Sequence, residues 1–236
     1  MTYIYLKKEK KSKLVQQKKI ARIFFLFIGL AFLGFALFPV ISFQFTYSTQ
    51  LKQIIDPLSA KSPNQSSNIL GDITTDYTQL SNWFVDDYDD SDQLVNTSNN
   101  QSTYYLTIPS LNIKDAVVTL GSMDLKKSLI QYPQTALPGQ LGNTVVFGHS
   151  VLPQFFSPKN YLTIFSTLYK LKQGDEIILE YDRSTYKYVV EEMFEVKPTN
   201  LSVLEQRFDE KLLTLITCSP PGTYLRRLII KAKLSL

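Results

Sequence analysis

The chain contains one histidine, His149, and one cysteine, Cys218, and each directly follows an apolar run of strand-like composition. A thiol with an ordinary pKa of about 8.5 is mostly protonated at neutral pH, so a nucleophilic cysteine needs a neighbouring base or positive charge. His149 could supply that base and later protonate a leaving amine. Arg227 follows Cys218 by nine residues, and its permanent charge could stabilise an oxyanion or orient a backbone carbonyl. These residue types predict nucleophilic chemistry on an acyl group.

Residue type alone leaves other interpretations of the same side chains open. An unpaired cysteine in an exported protein can form an intermolecular bridge, fill a buried position or serve as a reactive thiol. A single histidine can equally be a loop residue whose hydrogen bonds are satisfied locally. The elements that would position these residues therefore matter.

From Thr103 onward, short runs rich in Val, Ile, Tyr and Thr alternate with Gly, Pro, Asn and Asp, which is the pattern of strands and turns. Asp182-Arg-Ser-Thr185 resembles a hairpin turn, and 163–172 has the spacing of a helix that stops at Gly174. Residues 103–236 are therefore predicted to be mainly β, a closed or nearly closed barrel with a few short helices. The predicted strands are 104–108, 116–120, 143–147, 176–181, 186–196, 212–217 and 227–233.

The net charge of +4 divides unevenly along the chain. Residues 1–22 hold eight basic and one acidic side chain, a net of +7, which leaves 17 basic and 20 acidic residues, a net of −3, over 23–236. The stretch 23–43 carries no charge and is long enough for a transmembrane helix. A basic leader before such a helix predicts a single-pass signal anchor with a cytoplasmic N-terminus and an extracytoplasmic domain. A cleaved signal peptide and a core helix are the alternatives; a nucleic-acid binder is not favoured.

Residues 44–102 are predicted to be a polar extracytoplasmic linker. Within it, Ile73, Tyr77, Leu80 and Phe84 have helical spacing beside the only tryptophan, Trp83, which predicts a short helix near 73–84. This helix could simply pack on the domain or act as a lid over the site. The acidic run 86–92 lacks the central Gly and closing Glu of a calcium loop, so a solvated linker is expected there.

Several segments in register resemble the sortase family. Leu213-Thr-Leu-Ile-Thr-Cys218 resembles the sortase signature that ends in T-L-x-T-C, and Arg227-Leu-Ile-Ile230 resembles the strand that carries the family's arginine. Leu137–His149 is similar to the segment that ends in Gly-His, Leu171–Ile177 to K-x-G-D-x-I, and Ile108–Ile113 to the first strands. The resemblance spans roughly residues 104–236.

The resemblance implies Cys218 as the nucleophile, His149 as the general acid/base and Arg227 as the catalytic arginine. Arg226 is the alternative for the arginine, and neighbouring strand residues face opposite sides. Thr217 resembles a position that helps to hold substrate, although a plain strand residue fits it equally. No cofactor or metal is implied. The Asp-Pro-aromatic lid of some pilin-assembling members has no counterpart, because Asp56-Pro57 is followed by Leu58.

The leading hypothesis is a membrane-anchored cysteine transpeptidase. It would cleave an LPXTG-like C-terminal sorting signal on an exported protein through a thioester, and transfer the acyl group to the amine of a cell-wall precursor or a pilin lysine. The alternatives are a cysteine endopeptidase that uses water, and a non-catalytic membrane-anchored β domain that binds a surface partner.

Overall fold

The computed structural model describes residues 13–50, 76–83 and 102–235. The chain divides into two compact units, residues 1–50 and 51–236. Residues 1–12 of the predicted leader, most of the predicted linker and the acidic run 86–92 lie outside the described residues.

The first unit contains one long helix, α1, at Lys13–Gln50. It includes the uncharged stretch 23–43, and the side chains described between residues 22 and 38 are almost all exposed. Among the described residues, no helix is both long enough and apolar enough to cross a membrane. The anchor therefore stays a prediction from the sequence.

The second unit is a closed barrel, as predicted, and the described residues form eight strands in it. The strands are β1 Thr103–Ile108, β2 Ile113–Leu120, β3 Leu129–Gln131, β4 Gly142–Phe147, β5 Glu176–Tyr181, β6 Ser184–Val196, β7 Lys211–Ser219 and β8 Arg226–Leu234. Their order around the barrel is β1-β2-β3-β4-β7-β8-β6-β5. Two pairings, β2 with β3 and β4 with β7, are parallel, and the others are antiparallel.

All seven predicted strands are present, with ends that move by at most three residues. The additional strand, β3, is three residues long and fully buried, so it shows too little alternation to be recognised from sequence. The predicted hairpin turn is confirmed between β5 and β6, where Asp182 and Arg183 adopt φ of 49° and 59°, the left-handed pair that closes a two-residue hairpin.

The helix predicted over 163–172 is wrong. The segment forms successive turns that end in a single 3-10 turn at Leu168–Lys170. Its hydroxyls engage the backbone: Thr163 Oγ1 donates to the Ser157 and Asn160 carbonyls, and Ser166 Oγ accepts from the Val151 amide. Side chains that bond nearby backbone in this way favour turns over a regular helix.

Buried side chains form two clusters, one on each face of the barrel wall. Because successive strand residues point to opposite faces, Leu215 and Thr217 of β7 face inward, while Ile216 and Cys218 face outward. The interior cluster holds 22 buried apolar residues, including Leu215 and Leu228. The outer cluster joins Cys218 to apolar side chains of neighbouring strands and to two residues that precede the barrel: Leu80, Trp83, Leu125, Ile130, Val145, Phe147, Val196, Val203, Ile216 and Ile229.

Candidate active site

Cys218 and Arg227 lie directly opposite each other on adjacent antiparallel strands, β7 and β8. Paired residues share a face of the sheet, so both side chains project from the outer face of the barrel. Arg226 pairs with Ser219 and therefore points to the opposite face. Of the two candidate arginines, only Arg227 shares the face of the thiol.

His149 reaches the same end of β7 through the neighbouring strand β4. The parallel register aligns Phe147 of β4 with Ile216 of β7. Continuing that offset by two residues aligns His149 with Cys218. The parallel pairing of β4 and β7, which no local sequence signal reveals, thus brings together residues 69 positions apart.

Two hydroxyls tie the ends of these strands together. Thr217 Oγ1 donates to the Gly148 carbonyl at 2.8 Å, and Ser150 Oγ donates to the Cys218 carbonyl at 3.0 Å. Both side chains are buried. Both hydrogen bonds connect the segment around His149 to the segment around Cys218. Together they fix the spacing between the backbones of these two residues. Thr217 was predicted to hold substrate, which stays untested; Ser150 was not predicted from the sequence.

Glycine is required directly before His149 because the backbone there packs against neighbouring side chains. A Cβ on Gly148 would lie 2.3 Å from Phe165 Cδ2 and 2.6 Å from Leu129 Cδ2. Both distances are shorter than real Cβ contacts, so a side chain at this position would clash. The Gly-His pair thus has a packing reason as well as a chemical one.

The His149 ring is oriented by the chain that follows it. Its Nδ1 lies 2.9 Å from the Leu162 carbonyl oxygen, which can only accept, so Nδ1 carries the proton and Nε2 is the free nitrogen of the neutral ring. Burial lowers the pKa of His149, opposed by the Leu162 hydrogen bond and the charge of Asp76. The imidazole therefore rests neutral, with Nε2 able to accept a proton.

Cys218 is 1% exposed. Burial raises the pKa of its thiol to about 11, and the nearby charge of Arg227 offsets only part of that effect. A group of this kind is almost wholly protonated at neutral pH. The site therefore holds a neutral thiol and a neutral imidazole rather than an ion pair.

Arg227 is 1% exposed, and backbone carbonyls satisfy its guanidinium. Nε and Nη2 both donate to the Trp83 carbonyl, at 3.2 and 2.6 Å, and Nη1 donates to the carbonyls of Tyr224 and Arg226, each at 3.1 Å. The guanidinium also lies 5.2 Å from the Trp83 ring centre. It is thus placed to bind carbonyl oxygen at the position now taken by Trp83.

The segment that contains Trp83 coincides with the helix predicted near 73–84. Its described part, Asp76–Trp83, holds one 3-10 turn at Leu80–Asn82, and residues 73–75 and 84 lie outside the described range. Leu80 and Trp83 of this segment belong to the buried cluster that includes Cys218. The sequence left a packing helix and a lid as alternatives, because the position of the segment depends on contacts with residues far along the chain.

The arrangement offers a nucleophile, a base and a carbonyl-binding cation on one face, which suits acyl transfer through a covalent intermediate. Within the described residues, no group of three or more His, Cys, Asp or Glu side chains is placed to hold a metal ion.

Three comparisons with known proteins agree on the family. The family model described as a sortase domain matches residues 106–235. Sortase D of Bacillus subtilis (strain 168) is 25% identical over 222 residues, which cover 92% of this chain and 98% of that protein. Sortase A of Staphylococcus aureus is 32% identical over 130 residues, 48% of this chain and 53% of that one.

Among solved structures, the crystal structure of sortase C-1 from Actinomyces oris superimposes with a TM-score of 0.50 at 28% identity. The matched region covers 56% of this chain and 73% of the Actinomyces oris chain. The family match falls on the barrel, where Cys218, His149 and Arg227 lie.

Proposed function

Because the chain belongs to the sortase family, whose members are cysteine transpeptidases, we propose that it cleaves an LPXTG-like sorting signal and transfers the acyl part to an amine. The pairing of Cys218 with Arg227, at the end of the strand beside His149, is the observation that carries this proposal. The substrates would be exported proteins with a C-terminal sorting signal. The acceptor would be the amine of a cell-wall precursor or of a pilin lysine.

In the first half of the reaction, Cys218 Sγ attacks the carbonyl carbon of the Thr–Gly bond while His149 Nε2 takes the thiol proton. The charge that develops on the carbonyl oxygen is stabilised by the Arg227 guanidinium. The tetrahedral intermediate then collapses as the C–N bond breaks, and His149 gives its proton to the leaving glycine amine. A thioester and a shortened peptide result.

In the second half, the acceptor amine attacks the thioester carbonyl and His149 takes one of its protons. The C–S bond breaks, the proton returns to Cys218, and a new amide links donor and acceptor. A hydrolytic enzyme would follow the same route with water, so the acceptor distinguishes a transpeptidase from an endopeptidase.

The membrane part of the proposal rests on the sequence. Residues 23–43 carry no charge and follow a leader with a net charge of +7, which supports a retained single-pass anchor with the barrel outside the cell. The folded domain and its substrates would then meet at the outer membrane surface.

The test is a search for the thioester by mass spectrometry after mixing the full chain with a panel of LPXTG-type pentapeptides, with and without an added amine. Wild type should carry the acyl mass on Cys218, and Cys218→Ala should carry none. His149→Ala should slow its formation by about 10²–10⁴-fold, the usual contribution of general acid–base catalysis. Tyr105→Ala, an exposed aromatic on β1, should match wild type. Cleavage at the wild-type rate by Cys218→Ala would overturn the proposal.

A further inference from the structure

Glu195 is a buried carboxylate that the chemistry described above does not use. It is the last residue but one of β6, it is 6% exposed, and among the described residues no other carboxylate is buried. A carboxylate is seldom buried this far unless it accepts hydrogen bonds, because burial removes the water that solvates its charge. Here the Ser219 hydroxyl donates to Glu195 Oε1. Ser219 is fully buried and directly follows Cys218, so the bond reaches the neighbour of the candidate nucleophile.

Strand register places Glu195 and Ser219 on the face of the sheet opposite to the thiol. Glu195 pairs with Leu228 of β8, and the same Leu228 pairs with Thr217, two residues before Ser219. Leu228 belongs to the interior cluster. Since alternate residues of a strand share a face, Glu195 and Ser219 both face the barrel interior, whereas Cys218 faces outward.

The hydrogen bond between these two side chains, called the clamp below, crosses a whole strand. β6 and β7 are not paired with each other, because β8 lies between them. The Glu195 side chain therefore reaches past β8 to the end of β7. Arg227 lies on the strand that is crossed, paired with Val196 on one side and with Cys218 on the other. The clamp thus joins the two strands that flank the candidate catalytic arginine.

The clamp acts where the sheet ends. Ser219 with Arg226 is the last paired position of β7 and β8, and beyond it the chain leaves the sheet for a short connection. The ends of secondary-structure elements open more readily than their centres. A buried hydrogen bond from Glu195 to this terminal pair therefore restrains the part of β7 in which Cys218 lies.

We propose that Glu195 and Ser219 are positioning residues for the reaction at Cys218. From the interior face, their hydrogen bond fixes how the end of β7 lies against β8, and so sets the spacing of the thiol and the Arg227 guanidinium on the outer face. A hydrogen bond to a carboxylate is roughly twice as strong as one between neutral groups, which suits it to hold a strand end in place during acyl transfer.

This inference rests on the proposed function for the reaction that the clamp serves, while the restraint itself needs no substrate. Misplacing reacting groups by about 1 Å can slow an enzyme by about 10²-fold. The peptide would bind on the outer face, which Glu195 and Ser219 do not reach. Loss of the clamp should therefore lower kcat and leave KM nearly unchanged.

The experiment measures kcat and KM of full-chain variants with an LPXTG-type peptide and an added amine. Ser219→Ala and Glu195→Ala each remove one partner, and Glu195→Gln keeps an oxygen that can accept from the Ser219 hydroxyl. Glu191→Ala removes an exposed carboxylate from the same strand and is the matched control. Circular dichroism gives each melting temperature, and all rates are measured below the lowest of them.

Ser219→Ala and Glu195→Ala should each lower kcat by about tenfold or more, with KM within about twofold of wild type. Glu195→Gln should retain most of kcat, and Glu191→Ala should match wild type. The double variant Glu195→Ala with Ser219→Ala should be no slower than the slower single variant, because the two side chains form one bond. The double variant Glu195→Gln with Ser219→Ala leaves no charge buried without a partner, and it carries the same prediction if Ser219→Ala does not fold.

Two results would overturn the inference. One is a kcat within about twofold of wild type in the variants that lack the Ser219 hydroxyl. The other is a pair of losses that multiply when Glu195→Ala and Ser219→Ala are combined, because independent side chains behave in that way.

Hydrogen exchange separates this inference from the proposed function, because it needs no peptide. Amides of β7 and β8 near Cys218 should exchange at least about tenfold faster in Ser219→Ala than in Glu191→Ala, while those of β1 and β2 should not differ. Faster local exchange with no thioester in any protein would overturn the proposed function and leave the clamp standing. Acylation of wild type with equal local exchange in both variants would overturn the clamp alone.

Discussion

At the residue scale, Arg227 differs from its neighbour Arg226 in the direction of its side chain and therefore in burial and hydrogen bonding. Arg227 is buried opposite Cys218 and donates to three carbonyls, whereas Arg226 pairs with Ser219 and is half-buried. A planar guanidinium spans several acceptors at once, which a lysine ammonium cannot do in the same geometry.

Arg227→Lys is therefore expected to slow thioester formation by about 10²-fold or more, the usual loss when an oxyanion donor is removed. Arg226→Lys, the matched control on the adjacent position, should remain near wild type. Single-turnover acylation measured by mass spectrometry gives both rates. A larger loss in Arg226→Lys than in Arg227→Lys would contradict the assignment of the arginine.

The protonation state of Cys218 gives a pH-dependent prediction. Burial raises the pKa of this thiol to about 11, so at any pH below that value the fraction present as thiolate is smaller than for an ordinary cysteine. The alkylation rate of wild type should rise about tenfold per pH unit above neutrality and level off only near pH 11. A plateau below pH 9 would show instead that Cys218 ionises within the buried site, as an ion pair with His149 would require.

At the element scale, the proposed reaction depends on two strand ends that lie side by side. His149 follows β4, and Cys218 lies on β7. The hydroxyls of Ser150 and Thr217 form hydrogen bonds that connect these two segments. Because these bonds are buried, removing a donor leaves a carbonyl unsatisfied, which typically costs about 1–3 kcal/mol.

Thr217→Val keeps the branched shape and removes the hydroxyl. We expect a lower melting temperature and a lower kcat, because the Gly148 carbonyl loses its partner directly before His149. Thr217→Ser restores the donor and should recover most of kcat. If Thr217 instead holds substrate, as the family resemblance implies, KM should rise with kcat unchanged, and peptide titration of acylation separates the two outcomes.

The strand predictions were correct where apolar and polar residues alternate over several positions, as in 186–196. The sequence-based assignment was wrong at 163–172, and it missed β3. The turn-forming segment 163–172 had helical apolar spacing, but Thr163 and Ser166 bond to backbone and break the helix. β3 is too short to show any period.

At the scale of the whole molecule, charge is distributed by position along the chain. The +7 of residues 1–22 precedes the uncharged stretch 23–43, and the remainder is mildly acidic. Cationic flanks tend to stay on the cytoplasmic side of a membrane span.

Replacing the basic residues of 1–22 by glutamate should therefore reduce the fraction of the barrel that protease added to intact cells can digest. Wild type should be digested. Lys114→Glu with Lys159→Glu, two exposed positions on the barrel, should not alter digestion, because these charges lie far from the span in sequence. Equal digestion of the leader variant and wild type would contradict the proposal that the leader sets the membrane topology.

By itself, the sequence determined the β character of residues 103–236 and the order of the strands along the chain, because residue type and local periodicity are properties of neighbouring positions. Its resemblance to the sortase family implied His149, Cys218 and Arg227 as the candidate catalytic residues. The sequence left Arg226 and Arg227 as alternatives, and it left the segment near 73–84 as either a packing helix or a lid.

Only the tertiary structure decided which arginine shares the face of Cys218, that Ser150 bonds to the Cys218 carbonyl, and that the Trp83 carbonyl lies on the Arg227 guanidinium. Each depends on strand register or on contacts between residues as far as 144 positions apart. Closure of the barrel sets those distances, because pairing β4 with β7 and β7 with β8 aligns segments that no local pattern relates.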